Sequence, residues 1–208
     1  MKFKEYIKEM STAGKGNWIP DIDTIGSYSK RIIELTYTKV KDFNIRGKSF
    51  ELYKLKSESK IKDYFILGSF LNEEENGKII ERFDCVFEME LKEQEIESIG
   101  IFKVVVSVMV KENLRGHGIS TIIYKFLVKD LKFLIMGDSI QYFGARILWK
   151  KLSEDRDVIV DLIDLKQKKI LERNIKLSHG KKDYEFDKRL WSYKTGKEFI
   201  RPILKDIL

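Results

Sequence analysis

The chain has 208 residues, of which 43% are hydrophobic and 35% are charged, and 40 basic and 33 acidic side chains give it a net charge of +7. A chain of this length and apolar content can bury one full-sized core, which excludes wholesale disorder and two large domains. Its only cysteine, Cys85, excludes an intrachain disulfide and a multi-cysteine zinc site, and the absence of an apolar run near ~18 residues favours a cytoplasmic protein with no membrane partner.

The first 45 residues are predicted to form a helical N-terminal part. Apolar residues recur at helical spacing over 2–10, and a loop follows at 11–16. A second helix is predicted over 25–40, with Asp23 or Thr24 as its N-terminal cap. Both helices would belong to a single domain that spans the whole chain.

The stretch from Ser49 to Ser107 alternates apolar with polar residues, which predicts three or four antiparallel strands. Charged connectors interrupt this pattern at 72–77 and 92–97, and both are typical of solvated loops. Cys85 lies next to apolar neighbours in this stretch, which favours a buried strand position over a catalytic thiol.

The pattern becomes mixed after residue 101. Residues 102–110 are dense in valine, as expected of a central strand that is covered on both faces. The elements predicted after this strand are a helix over 120–132, a short strand over 133–136, a helix over 140–152 and a strand over 158–165.

The extension 171–208 is basic and aromatic. Lysine and arginine alternate there with aromatic residues, a mixture that suits contact with phosphates and stacking on bases. The same mixture suits a last hairpin packed on the core, and acidic residues such as Asp183 dilute the charge. Both interpretations stay open at the level of the sequence.

A turn with two glycines stands between the valine strand and the next helix. Glycines let main-chain amides crowd around an anion, and the helix N-terminus adds a partial positive charge. A pyrophosphate would fit such a turn. Its residues are Arg115, Gly116, His117, Gly118, Ile119 and Ser120.

This order of valine strand, glycine turn, helix, strand and helix resembles the coenzyme site of the GNAT superfamily of N-acyltransferases. The segment from Asp138 to Leu152 resembles in particular acetyltransferase-like proteins of bacteriophages. The family signature is Gln or Arg, two residues, Gly, one residue, then Gly or Ala. Arg115 and Gly118 match it, and Ser120 departs from it by one hydroxymethyl group. The resemblance covers roughly residues 50–170.

The resemblance implies an α/β (α+β) fold. Its central sheet would be mixed and mostly antiparallel, splayed at the strand carrying Val104–Val110 and flanked by helices. Residues 46–170 would form the acyl-CoA-binding core of this domain, between the helical N-terminal part and the C-terminal extension.

The resemblance also implies an acyl-CoA-dependent N-acyltransferase with acetyl-CoA as co-substrate. The main chain near Val108 and Val110 would pair with the pantetheine arm, and the amides of Arg115–Ser120 would bind the pyrophosphate. The acceptor would be an amine on a protein, a small molecule or a modified nucleobase. The protein would act as a monomer or homodimer, in the host cytoplasm if a phage encodes it.

The catalytic residues of the family do not carry over directly. Many members have a tyrosine four residues after an alanine of the fourth helix, and this tyrosine protonates the departing thiolate. Trp149 stands four residues after Ala145 here, and an indole has no useful acidity, so a core position is expected for it. Tyr142 and Ser139 are the candidates to face the thiol instead. Asp138 is expected either to cap the next helix or to orient substrate.

No general base stands out. Glu112 is expected to face solvent, although a loop carboxylate could pass a proton through water. The side chain of His117 is expected to point to solvent or to lie along a phosphate. His117 and His179 lie too far apart in the sequence to predict a metal site.

Two alternatives to catalysis of this kind remain. One is a phage-type binding protein that has lost catalysis and contacts host protein or nucleic acid, which the missing tyrosine favours. The other is a relative of the family that modifies a DNA base, which the net charge of +7 allows.

Overall fold

The computed structural model describes residues 27–56, 61–138, 143–175 and 200–207. The helix predicted over 2–10 and the loop after it lie outside these ranges. Ten strands within the ranges form one sheet, in the order β2-β3-β4-β5-β6-β7-β10-β8-β9, and β1 pairs with β5. The strands are β1 (Ser27–Ser29), β2 (Tyr37–Ile45), β3 (Lys48–Leu55), β4 (Lys62–Glu75), β5 (Lys78–Ile96), β6 (Gly100–Val110), β7 (Ile135–Met136), β8 (Val158–Asp164), β9 (Lys169–Glu172) and β10 (Ile200–Asp206).

Three helices accompany the sheet in the described part of the chain: α1 (Lys30–Thr36), α2 (Ile119–Lys129) and α3 (Phe143–Glu154). None of them is both long and apolar enough to cross a membrane.

Strands β2 to β6 form an antiparallel meander. The turns of two of its hairpins, Arg46-Gly47 and Asn76-Gly77, have positive φ at both central residues. This backbone conformation matches the right-handed twist of the flanking strands. The charged connectors predicted as loops at 72–77 and 92–97 lie largely within β4 and β5, because backbone pairing continues through exposed polar residues.

The second half of the sheet begins with a parallel pair. Strand β7 lies parallel to β6, and β10 lies between β7 and β8, antiparallel to both. Residues 200–206 of the C-terminal extension are therefore an interior strand of the sheet. Residues 176–199, most of the extension, lie outside the described residues.

The helices of the described part of the chain cover the two faces of the sheet unequally. On one face α2 and α3 bury Ile123, Leu127 and Trp149 against strand residues such as Leu91. On the other face α1 contributes a single buried residue, Ile33. Burial of the large apolar face against α2 and α3 supplies the main hydrophobic stabilisation of the part of the sheet that contains β6.

The expected GNAT-like α/β fold, in which helices flank the central sheet, is wrong. The protein is mostly a large mixed sheet of ten strands in its described part, with only three helices. One reason lies in the helix predicted over 25–40, which begins only at Lys30, with Ser29 as its N-cap, and ends at Thr36, where β2 follows. The predicted caps Asp23 and Thr24 lie outside the described residues. Thr36, Thr38 and Val40 are β-branched, and pairing of β2 with β3 outweighs the weak helical periodicity.

Candidate functional site

Strands β6 and β7 separate after only two residue pairs. Lys103 pairs with Ile135 and Val104 with Met136, and the Lys103 amide donates a hydrogen bond to the Leu134 carbonyl at 2.8 Å. Beyond this point β6 continues along β5, but no described strand pairs with its other edge. At ~3.3 Å per residue, the edge of β6 that no described strand covers, which we call the open edge, is about 20 Å long.

A bulge determines which backbone groups face this open edge. Across the β5–β6 pair, Glu90 lies opposite Ser107 and Leu91 opposite Val105, which leaves Val106 as an extra residue on β6. The N–H and C=O groups of a strand alternate in direction, so Lys103 and Val110, seven residues apart, would otherwise face opposite sides. The extra residue reverses the alternation.

Two contacts fix the direction of the groups after the bulge. The Lys111 amide donates to the Val86 carbonyl of β5 at 2.9 Å, so the backbone of the preceding residue, Val110, faces away from β5. The Val110 carbonyl accepts a hydrogen bond from Arg115 Nε at 3.2 Å on that side. By alternation, the backbone groups of Val108 also face the open edge. An extended ligand could therefore pair with Val108 and Val110 as an added strand.

A cavity of about 540 Å³ lies where the strands separate. Val104, Val105 and Val106 line it from β6, and Asp138 lines it from the residues that follow β7. The remaining lining residues come from β5 and are Lys92, Glu93 and Gln94. The cavity is open to solvent on one side, and charged and valine side chains line it, so it offers room for a ligand at the end of the strand edge without enclosing it.

The open edge leads into the glycine turn. After a short 3₁₀ turn at Glu112–Leu114, Gly116 and Gly118 both adopt left-handed backbone conformations, with φ of 79° and 83°. Helix α2 begins at Ile119, and Gly118 caps it without a side chain. The first intrahelical acceptor is the Gly118 carbonyl, bonded to the Ile122 amide at 3.0 Å, so the amides from Gly118 to Thr121 have no acceptor within the helix. Four donors and the helix dipole thus point outward at this turn, which suits an anion.

Arg115 and His117 are both engaged with the turn itself. Arg115 is exposed and folds back onto the end of β6, where its guanidinium meets the Val110 carbonyl. His117 Nδ1 lies 3.2 Å from the Arg115 carbonyl oxygen, which accepts a hydrogen bond from the tautomer that carries its proton on Nδ1. This bond ties the imidazole to the main chain of the turn, an arrangement that favours a conformational role over that of a general base.

The residues that the sequence suggested for catalysis lie in different parts of the structure. Asp138 lies on the wall of the cavity, opposite the β6 edge. Ser139 and Tyr142 lie outside the described residues. Trp149 is only 1% exposed and packs edge-to-face on Tyr124 with ring centroids 6.0 Å apart, so its core position is confirmed. The Trp149 indole therefore does not serve as the missing proton donor.

Other candidate chemistries find no support among the described residues. Within those ranges, no three His, Cys, Asp or Glu side chains are grouped so that they could hold a metal ion. Cys85 is fully buried, and its burial, followed by the nearby Glu88 carboxylate, raises the pKa of the thiol. A buried thiol with a raised pKa is a poor nucleophile.

The bulge at Val106 is the part of the site that sequence reasoning missed. A run of valines carries no alternation from which a register could be read. Only the pairing with β5 reveals that one residue is extra. The single weak signal is Ser107, a polar residue that breaks the apolar run directly after the bulge.

No protein-family model matches the chain, and no curated protein matches it. An interpretation of the site therefore depends on its geometry and on the residues of the turn at Arg115–Ser120.

Proposed function

We propose that this chain is an acyl-CoA-dependent N-acyltransferase related to the GNAT superfamily, with acetyl-CoA as its co-substrate and an amine as its acceptor. One observation carries the proposal. The edge of β6 that is left open by β7 leads directly into a turn whose free amides suit a pyrophosphate. Coenzyme A combines an amide-bearing extended arm with a pyrophosphate, in that order. We infer a cytoplasmic location, where acyl-CoA is found.

Three parts of the site support this choice of co-substrate. The outward backbone groups of Val108 and Val110 would hold the amides of the pantetheine arm. The amides from Gly118 to Thr121 would hold the pyrophosphate, with the Arg115 guanidinium at the mouth of the turn. The cavity beside Val106 and Asp138 would then receive the acyl end of the molecule.

The chemistry proposed for the site needs little from the protein beyond positioning. The thioester of the co-substrate supplies an activated acyl group, so no covalent enzyme intermediate is required. The bulge lets the backbone groups of Val108 and Val110 face the open edge that leads from the cavity, where an N–H could stabilise negative charge on a carbonyl oxygen. Two described carboxylates line the cavity, Glu93 and Asp138. Glu93 is paired with Lys103 at 2.8 Å, and Asp138 is our candidate to orient the acceptor amine.

Ligand-dependent stabilisation tests the proposal directly. A ligand at a hundredfold excess over its Kd stabilises the folded state by about 2.7 kcal/mol, which for a chain of this size raises Tm by roughly 5–10 °C. Acetyl-CoA and free coenzyme A should both produce this rise, and pantetheine, which lacks the pyrophosphate, should produce a smaller one. No rise with acetyl-, succinyl- or free coenzyme A would refute the proposal.

The second candidate function is binding without transfer, in which the protein contacts a host protein or nucleic acid. The buried Trp149, in the position where related enzymes place their acid, favours it. If it is right, purified protein binds coenzyme but transfers no acetyl group to any amine offered. A DNA-base-modifying relative would instead show duplex binding that weakens steeply with salt.

A further inference from the structure

Glu88 is a buried carboxylate that has no cationic partner among the described residues. Three carboxylates are buried among the described residues: Asp63, Glu88 and Asp161. Asp63 and Asp161 are each held by lysine side chains at 2.5–2.9 Å. Glu88 is 6% exposed and forms no ion pair with any described lysine, arginine or histidine. Removing an uncompensated carboxylate from water costs several kcal/mol, so this residue needs an explanation.

The neighbours of Glu88 are neutral hydrogen-bond donors. The Tyr28 hydroxyl donates to Oε1 at 3.0 Å, the Tyr64 hydroxyl donates to Oε2 at 2.7 Å, and the Cys85 sulfur lies 3.7 Å from Oε1. Burial first, and then the Glu88 carboxylate, raise the pKa of both tyrosines far above the usual range. Both phenols therefore remain protonated donors at neutral pH, and neither supplies a positive charge.

Glu88 lies on the same face of the sheet as two residues that line the cavity. Side chains of β5 alternate between the faces of the sheet, so Glu88, Glu90, Lys92 and Gln94 share one face. Lys92 and Gln94 line the cavity at the head of the β6 edge. Glu88 lies four residues from Lys92, about 13 Å along the strand.

The two tyrosines that bind Glu88 extend to the surface. Tyr28 and Tyr64, whose hydroxyls bind the carboxylate, are both partly exposed. Tyr28 belongs to β1, which is three residues long and pairs with β5 only from Arg82 to Asp84. A small ligand that displaces one phenol hydroxyl would reach the carboxylate along this route.

We propose that Glu88, Tyr28 and Tyr64 bind a positively charged alkylammonium group of the acceptor, an inference that depends on the proposed acyltransferase function. An ammonium group would supply the countercharge that the described chain does not, and the two phenol rings would add cation–π attraction. An ammonium site of this kind favours an alkylamine as the acceptor over a nucleobase. Alkylamines of proteins and small molecules are cationic at neutral pH, whereas the exocyclic amino groups of nucleobases are not.

The experiment follows methyl resonances of the full chain labelled with ¹³C-methionine. Met109 lies directly opposite Glu88 across the β5–β6 pair and is a local probe, which Met109→Leu would assign among the five methionines. Titration with n-butylamine hydrochloride at pH 7 should shift the Met109 signal saturably, whereas n-butanol, of similar size and without charge, should not. Equal responses to the amine and the alcohol, or no response to the amine, would overturn the inference.

Matched variants locate the charge that is responsible. Glu88→Gln keeps the shape but removes the charge, and it should weaken butylamine binding about 30-fold or more. Glu90→Gln removes a carboxylate of the same face that is already paired with Lys62 at 2.6 Å, and it should leave binding unchanged. If Glu88→Gln fails to fold, Tyr64→Phe replaces it and should lower the affinity for butylamine at least threefold. Unchanged affinity in the variant that is used would refute the site.

Binding of acetyl-CoA by the same proteins separates the two hypotheses. Loss of amine binding in Glu88→Gln with normal stabilisation by acetyl-CoA supports the inference. If acetyl-CoA stabilises the protein but Glu88→Gln binds the amine as tightly as the wild type, the inference is wrong and the proposed function is still supported. Absence of coenzyme binding in the wild type refutes the proposed function, whatever the amine does.

Discussion

Substitution of Gly118 by alanine should separate coenzyme binding from backbone strain. Gly118 has φ of +83°, and a Cβ built on it meets no atom within 4 Å, so the change crowds no part of the protein. Gly47, in the turn between β2 and β3, has φ of +78° and the same open surroundings. A non-glycine residue in this left-handed conformation costs roughly 1–2 kcal/mol at either position. Gly47→Ala is therefore a control that carries similar strain away from the candidate site.

The two variants should lose similar stability but differ in affinity. At 2–4 °C per kcal/mol for a chain of this size, each Tm should fall by about 2–8 °C. A methyl group at Gly118 would stand beside the amides assigned to the pyrophosphate. Loss of one charge-assisted hydrogen bond, at about 1.5–3 kcal/mol, corresponds to a Kd for coenzyme A that is roughly 10- to 150-fold weaker.

Isothermal titration calorimetry with coenzyme A measures this difference, and thermal unfolding without ligand measures the strain. Gly47→Ala should bind coenzyme A with the affinity of the wild type. If Gly118→Ala binds as tightly as Gly47→Ala, the turn at Arg115–Ser120 does not hold the pyrophosphate and the reasoning from its free amides is wrong.

Three further predictions concern the strand edge, the core and an ion pair. Val108→Pro removes an N–H from the open edge of β6. Because one hydrogen bond contributes about 0.5–1.5 kcal/mol, this change should weaken coenzyme A binding about 2- to 12-fold in calorimetry. Val108→Ala keeps the N–H and should bind coenzyme A as the wild type does. Trp149→Ala should lower the free energy of unfolding by about 3–5 kcal/mol in urea denaturation, since the indole is buried against Tyr124, and a loss below 1 kcal/mol would contradict its core role. Burial alone would raise the pKa of Asp63, but hydrogen bonds from Lys103 and Lys54 outweigh it and hold that pKa below its usual value. The stabilisation from Asp63 is thus complete above its unfolded pKa of about 4 and is lost as the pH falls through the folded pKa. In Asp63→Asn, the free energy of unfolding from urea denaturation should therefore decrease less between pH 6 and pH 2 than in the wild type.

Local signals made the central part of the chain predictable. The valine-rich strand, the glycine turn and the helix after it were each recognised from a few adjacent residues, and β6, the turn and α2 lie where expected. The glycines at positions 116 and 118 indicated left-handed backbone conformations, which both residues adopt, because only glycine reaches such conformations without strain. Burial of Trp149 could likewise be read from its place in an amphipathic helix.

Competition between helix and strand was not predictable in the same way. The periodicity over 25–40 was compatible with a helix, yet Tyr37–Ile45 became a strand because β3 was available to pair with it. Exposed charged runs were read as loops, but the hairpin of β4 and β5 carries them as strand. Such choices shifted the balance of the protein from a helix-flanked sheet to one dominated by strands.

The sequence by itself determined the turn at Arg115–Ser120 and the strand and helix on either side, since those conformations follow from neighbouring residues. Tertiary structure alone decided that β6 leaves β7 after Val104, that Val106 is a bulge, and that Glu88 is buried beside two tyrosines. Each of these features depends on the register between strands that are distant in the sequence, and register follows from the packing of whole faces rather than from any local pattern.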